Sequence, residues 1–202
     1  MNLARIYDLF APLYDLLICV PIFGLRKEQS AALPYVAGGR ILEIGCGTGY
    51  LPSQMASPER SVVGLDFSKG MLQQARKRLL RERKKASLVC ADYHNLPFEP
   101  CSFDSVVATF SLSHAPDILP VFLEIHRVLK KNGRVVIVDV GPASRSWLGA
   151  RILLSLYRLE GDYPRDETLH LEMAGLGIIH RKELSKLGTV HLVVAEKLPF
   201  HN

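Results

Sequence analysis

The run Arg40-Ile-Leu-Glu-Ile-Gly-Cys-Gly-Thr-Gly49 holds the residues best suited to chemistry: an apolar strand, an acid and three glycines at alternate positions. Glycine at 45, 47 and 49 permits positive φ and removes every β-carbon from the concave side of the turn. A flat or anionic ligand can then approach the main chain just beyond a strand's carboxyl end, where open α/β sheets place nucleotide-like ligands. Two further apolar runs also end in acids. Ser61-Val-Val-Gly-Leu-Asp66 puts a carboxylate 21 residues after Gly45, close to the spacing of an acid that takes both ribose hydroxyls. Such chelation makes two charge-assisted hydrogen bonds. Ala86-Ser-Leu-Val-Cys-Ala-Asp92 supplies a third acid. A lone acid at a strand end is ordinarily a cap or turn residue; three in order behind a glycine loop point to a ligand. The alternative is a glycine-rich turn that binds nothing.

These residues need a frame to hold them. Ser68 is placed to cap a helix starting at Lys69. Phe103-Asp104 opens a fourth, buried strand, followed by a polar loop, Phe110-Ser-Leu-Ser-His114, closed by Pro116. Val121, Phe122, Ile125, Val128 and Leu129 follow helical spacing, with Gly133 as the stop and a fifth strand from Arg134. Residues 146–159 read as an apolar helix with Arg151 and Arg158 on one face, either core packing or the roof of an apolar pocket or membrane contact. The segments 177–184 and 189–196 read as two antiparallel strands. Strands alternating with helices predict an α/β fold: a Rossmann-like, doubly wound, seven-stranded sheet, mostly parallel with an antiparallel C-terminal strand. At 202 residues, with 48% hydrophobic and 22% charged residues, the chain suits one globular domain over 1–202.

Other function classes find less support. Cysteines 19, 46, 90 and 101 show no metal-ligand spacing and read as small buried hydrophobes in a reducing compartment. No metal site is expected. The start of the chain lacks signal-peptide character, and the apolar run from Leu9 to Leu25 is broken by Pro12, Asp15 and Pro21, so a cytoplasmic protein is expected. The net charge of +5 gathers in Arg76–Lys85, which has seven basic residues in ten. Met71, Leu72, Ala75, Leu79 and Leu80 would form that helix's buried face, leaving the cations toward solvent, with weak nucleic-acid or anionic-membrane attraction as the alternative. No aromatic interleaving supports nucleic-acid binding there.

The spacing E-x-G-x-G-x-G, from Glu43 to Gly49, resembles motif I of class I S-adenosylmethionine-dependent methyltransferases. The segment Glu124-Ile-His-Arg-Val-Leu-Lys-Lys-Asn-Gly-Arg134 resembles the E-x-x-R-V-L-K-P-G-G-R stretch of the same enzymes, with Lys131 and Asn132 replacing proline and glycine. Tyr7-Asp-Leu-Phe-Ala-Pro-Leu-Tyr-Asp15 resembles the opening of ubiquinone/menaquinone C-methyltransferases and of phosphatidylethanolamine N-methyltransferase-like enzymes. Phe110-Ser-Leu-Ser-His114, where the quinone enzymes carry F-G-L-R-N, leans toward the second group. The resemblance implies S-adenosylmethionine as cofactor and S-adenosylhomocysteine as product. Glu43 would orient the amino-acid end over Gly45, Gly47 and Gly49, Asp66 would hold the ribose, and Asp92 and Tyr93 would meet the adenine. Tyr14, Cys46, Phe67, Met71 and Thr109 complete the expected contacts.

The same resemblance divides the chain into an N-terminal helical lid (1–35), a cofactor-binding core (36–140) and a short substrate-side segment with a C-terminal hairpin (141–202). It implies a small-molecule or lipid-like acceptor, with room for peripheral membrane contact. His114 is the candidate base, because imidazole titrates near neutrality. A loop histidine without a catalytic part is the alternative. Thr109-Phe-Ser-Leu lacks the N/D-P-P-Y/F motif of base-modifying relatives, so nucleic acid is not expected as substrate. Two rivals remain. One is a non-catalytic cofactor-binding module. The other is a nicotinamide-dependent oxidoreductase, whose G-x-G-x-x-G fingerprint would need glycine where Tyr50 stands.

Overall fold

The computed structural model describes Asp8, Ala11 and residues 25–142, 164–185 and 188–198. Tyr7, Tyr14 and the expected helix over 146–159 lie outside the described residues.

The strands are β1 (Arg40–Ile44), β2 (Ser61–Asp66), β3 (Ser87–Cys90), β4 (Phe103–Thr109), β5 (Leu129–Val140), β6 (Leu176–Glu183) and β7 (Val190–Lys197). The helices are α1 (Leu25–Ser30), α2 (Tyr50–Met55), α3 (Lys69–Arg81), α4 (Leu119–Val128) and α5 (Thr168–Met173). Short 3₁₀ turns occupy Leu33–Tyr35 and Leu112–His114. One seven-stranded sheet runs in the order β3-β2-β1-β4-β5-β7-β6. β7 is antiparallel to both neighbours, while β1 to β5 pair in parallel. The order reverses at β1, so the crevice beyond the carboxyl ends of β1 and β4 is the topological switch point where such sheets bind ligands.

Both faces of the sheet are covered, which is why its strands read as continuous apolar runs. Successive residues alternate between two cores. Leu42, Ile44, Val106, Ala108, Val135 and Ile137 face one side, with Phe122, Ile125 and Val128 of α4 and Leu171 of α5. Ile41, Val107, Val136, Val138 and Leu192 face the other, with Leu51 and Met55 of α2.

Three local expectations change. α4 ends at Val128 and passes directly into β5, so Gly133 lies inside the strand rather than at the helix end. Asn132 takes the left-handed conformation instead (φ 58°), which its short amide side chain tolerates. The Nζ of Lys197 donates to the carbonyls of His126 and Leu129 (2.7 and 2.8 Å), serving the open helix end from across the sheet. On α3, Met71, Ala75 and Leu79 are buried as expected, but Arg78 is buried as well and Leu80 is 72% exposed. Arg78 packs its guanidinium 5.8 Å from the centre of the Tyr50 ring. Cys46 is buried, but Cys90 and Cys101 are exposed; all three are free thiols.

Candidate active site

The glycine loop follows β1 at the switch point. Gly45, Gly47 and Gly49 all have positive φ (68°, 50° and 78°). Gly45 is required by close approach, since a β-carbon there would lie 2.3 Å from the Ser111 Cβ. Gly47 is required by its conformation alone: nothing lies within 4 Å of its absent β-carbon. That bare face opens into a cleft lined by Gly45 to Thr48, Asp66, Phe67, Met71, Tyr93, Thr109 and His114, among others. The missing side chain therefore leaves room for a ligand against the main chain.

Two acids sit beneath this loop. Glu43 is 2% exposed, and its Oε2 has no hydrogen-bond partner. Burial, and then the neighbouring Asp66 charge, push its pKa well above the ordinary glutamate range. The same burial, with the two carboxylates, pushes the Cys46 thiol up. Asp66 accepts hydrogen bonds from the amides of Gly47 (2.8 Å) and Ser68 (2.9 Å), so the second strand's acid clamps the glycine loop to the start of α3. Burial raises its pKa, opposed by those two amides. A buried polar atom without a partner is costly, and a carboxylate oxygen so placed is a site for a cation or a donor.

Asp92 is placed differently from expectation. Its side chain does not line the cleft and is 69% exposed. Its Oδ1 accepts from the His94 amide (2.9 Å) and meets His94 Nδ1 at 2.7 Å. Against the cost of partial burial, the His94 backbone and ring hold its pKa below the ordinary range. An acid two residues before a donor closes this local turn in preference to reaching outward. Tyr93 does line the cleft, and burial, reinforced by Asp92 and Asp139, pushes its phenol up to about 12. It is therefore a neutral donor and an apolar wall at physiological pH.

On the far side, β4 delivers Thr109, whose buried Oγ1 has no partner, and the turn Leu112–His114 brings His114 to the cleft. The fully buried Asp139 at the end of β5 fixes this turn. Its Oδ2 accepts from the amides of Leu112 (2.9 Å) and Ser113 (3.0 Å), and its Oδ1 from Val140 (2.8 Å). Burial raises its pKa, with the Val140 amide opposing and Glu167 reinforcing. Glu167 is itself bonded to His191 at 2.8 Å. The Arg165 guanidinium holds the carbonyls of Ala115 and Pro116.

The sequence implies a lid over 1–35 but does not single out the residues that roof the cleft. Arg26 and Gln29 of α1 line the cleft, as do Thr48, Tyr50, Leu65, Phe110 and Ser111. The Tyr50 hydroxyl lies 2.9 Å from Ser30 Oγ, so α1 is pinned across the mouth. The free volume is only about 60 Å³, so a ligand the size of a nucleoside has to part these walls. Asp8, from the N-terminal segment, accepts from Ser68 Oγ (2.6 Å) and the Gly70 amide (2.8 Å), just outside Asp66. The structure thus brings together Gly45, Cys46, Gly47, Asp66, Phe67, Met71, Tyr93, Thr109 and His114, places Glu43 beneath them, and leaves Asp92 outside. Gly49 turns the chain into α2 and packs against Ala75.

Comparison with known proteins agrees with this geometry. Residues 42–137 match the family model described as a methyltransferase domain. A demethylmenaquinone methyltransferase from Thermotoga maritima is 35% identical over 68% of this chain, which spans 61% of that enzyme's length. The ubiquinone/menaquinone biosynthesis C-methyltransferase UbiE of Geotalea uraniireducens is 28% identical over 97% of this chain and 96% of that protein. Both relatives lie on the quinone side of the expected branch. A solved S-adenosylmethionine-dependent methyltransferase from Thermotoga maritima superposes with a TM-score of 0.75 over 97% of this chain and all of that one. At 22% identity that likeness speaks to the fold. The glycine loop and the buried acid pair thus sit in a chain that is similar to demethylmenaquinone and UbiE methyltransferases and that shares the fold of the solved S-adenosylmethionine-dependent enzyme.

Proposed function

We propose that this chain moves a methyl group from S-adenosylmethionine to a small or lipid-like apolar acceptor, releasing S-adenosylhomocysteine. The observation that carries the reading is the unpartnered Glu43 oxygen, buried directly below a glycine loop whose open face can admit an ammonium-bearing ligand. When bound, the cofactor supplies a methyl on a sulfonium that departs as a neutral thioether. Glu43 and Gly47 hold the amino-acid end in this reading, Asp66 takes the ribose, and Phe67, Met71 and Tyr93 enclose the adenine. Asp92, whose Oδ1 is engaged by His94, completes this wall in the reading. Tyr14 belongs to the N-terminal lid of this proposal.

The acceptor side is formed by Phe110, Ser111, Thr109 and His114. None of these four described residues is a carboxylate, in keeping with an apolar acceptor. The relative named for demethylmenaquinone supports a lipid-like one. The chain's own work is then to align the acceptor with the methyl carbon and to exclude water. His114 accepts the proton of an acceptor that must lose one.

Thermal unfolding with S-adenosylmethionine, S-adenosylhomocysteine and NAD, with Asp66→Ala as control, tests the cofactor. A ligand at about 100 times its Kd adds about 2.7 kcal/mol, a rise of several degrees for a domain of this size. Both adenosyl ligands should raise the midpoint, NAD should not, and the variant should abolish the shift. No shift with either adenosyl ligand at millimolar concentration overturns the reading.

A further inference from the structure

A second and wider cleft, of about 1160 Å³, opens at the amino-terminal ends of β1, β2 and β3, away from the glycine loop. It shares no residue with the cofactor cleft. Strand β2 joins the two, with Ser61 lining one and Asp66 the other, roughly 17 Å apart at the usual strand rise.

Five cations converge on this second cleft from three separate parts of the chain. Arg40 starts β1, Arg60 closes the turn before β2, and Arg76, Lys84 and Lys85 come from α3 and the residues after it. A solvated helix face does not require such convergence. The backbone builds it deliberately: Arg83 takes a left-handed conformation (φ 54°), and the Lys84 amide returns to the Leu79 carbonyl at 2.9 Å. That reversal folds Lys84 back over the cleft, where its Nζ reaches the Ala56 carbonyl at 3.3 Å. A tight turn sets Arg60 at the cleft, its amide bonding the Ser57 carbonyl at 3.2 Å and its guanidinium the Val36 carbonyl at 3.5 Å.

None of the five cations has a carboxylate partner among the described residues. The two acids in the lining are engaged elsewhere. Asp104 takes Lys130 Nζ (2.7 Å) and the amides of Gly39 and Arg40, and Glu59 takes the Ser57 hydroxyl (2.8 Å). The hydroxyls of Ser61 and Ser87 add donors to the lining, and Val62, Leu79, Leu80 and Leu88 give it an apolar wall. No aromatic side chain lines the cleft, so it offers no platform for stacking bases.

We propose that this cleft binds a phosphate-bearing anion, a phosphate ester with an apolar arm being the ligand its walls fit. Arginine and lysine donors converging in a concave site are suited to phosphate oxygens, and the focused field favours a multiply charged group. The site is separate from the methyl-transfer reading and stands whether or not that reading holds.

The test is calorimetric titration with pyrophosphate at fixed ionic strength, using sodium sulfate as a charge control. A parallel arm uses sedimentation with vesicles of phosphatidylcholine and phosphatidylglycerol in equal parts. The variant is the pair Arg60→Gln with Lys84→Gln, neither of which touches the cofactor cleft. Pyrophosphate should bind more tightly than sulfate, and the paired variant should weaken it by about tenfold or more while S-adenosylhomocysteine affinity is unchanged. Pyrophosphate binding without vesicle binding assigns a free phosphorylated ligand. Vesicle binding lost in the variant assigns the phosphate to a lipid headgroup. Pyrophosphate no tighter than sulfate together with no vesicle binding, or binding of either probe that survives the paired substitution, overturns the proposal.

Discussion

The guanidinium of Arg26 lies 4.1 Å from the centre of the Tyr50 ring, in cation–π contact across the mouth of the cofactor cleft. Tyr50 is the first residue of α2, immediately after the glycine loop, and Ser30 holds its hydroxyl. The residue that separates this loop from a dinucleotide fingerprint is thus the residue to which the roof is fastened. Tyr50→Phe keeps the ring and loses one hydrogen bond, worth about 1 kcal/mol. Tyr50→Ala also loses the cation–π contact, about 0.5–1 kcal/mol. S-adenosylhomocysteine binding, measured by calorimetry, should weaken by up to about fivefold in the first and up to about twentyfold in the second. Equal affinities in all three proteins would show that the roof plays no part in binding.

Glu43 predicts a particular pH dependence. Its folded pKa is raised, so between the ordinary glutamate range and that raised value the folded state holds a proton the unfolded state has lost. Its contribution to stability is therefore intact below the window and declines as pH rises through it. Glu43→Gln lacks this decline. The variant's Tm should gain on the parent as pH increases, while its affinity for S-adenosylhomocysteine falls by about tenfold or more through the lost charge-assisted bond. In the parent, that affinity should strengthen with rising pH as a cationic amino group draws off the proton. A Tm difference that is flat with pH would contradict the assignment.

Asp139 holds the turn that carries His114. Asp139→Ala leaves the buried amides of Leu112, Ser113 and Val140 without this acceptor, at about 1–3 kcal/mol for each donor left unsatisfied. The Tm should fall by at least several degrees. Asp139→Asn, which keeps one carbonyl oxygen, should fall less. Hydrogen exchange at the Leu112 and Ser113 amides is the direct check, since unchanged protection would mean another group holds the turn. His114→Ala, by contrast, should lower turnover while leaving S-adenosylhomocysteine affinity nearly intact. Equal losses in both would make His114 a structural residue.

Gly70 sets how closely the N-terminal segment can approach. A β-carbon there would lie 2.8 Å from the Asp8 Cα. Gly70→Ala favours the helix by about 1 kcal/mol in propensity while pushing that segment away. The expected outcome is a Tm that moves little and a cofactor affinity that drops by about fivefold. An affinity equal to that of the parent would detach the segment from the binding site.

Much of the fold was legible because each early strand is an apolar run ending at an acid and followed by turn chemistry. Gly45 to Gly49, Asp66 and the cap Ser68, whose Oγ accepts the Met71 amide at 3.1 Å, all express local rules that sequence alone displays. Asp92 was not legible, because whether an exposed acid reaches outward or bonds the amide two residues on depends on a competition within its own turn. The α3 face was misread at Leu80 and Arg78 because the helix stops at Arg81, and Tyr50 offers Arg78 a ring to lie against. Arg26 and Gln29 carried no motif at all. They reach the cleft only through the packing of α1 on Tyr50. The pairing of the three-segment cations in the second cleft was likewise invisible, since no window of sequence contains it.

The strand order has a consequence for how this protein is made. β7 is the seventh strand along the chain, yet it lies between β5 and β6. During synthesis β6 emerges with no neighbour to join, and β5 keeps one open edge until Val190–Lys197 have been released. That edge carries the backbone groups of Val135 to Val138, an apolar run able to template foreign strands. The nascent chain is accordingly exposed to misassembly until its final hairpin arrives, and a shortened product ending before β7 should aggregate rather than accumulate as a smaller soluble domain.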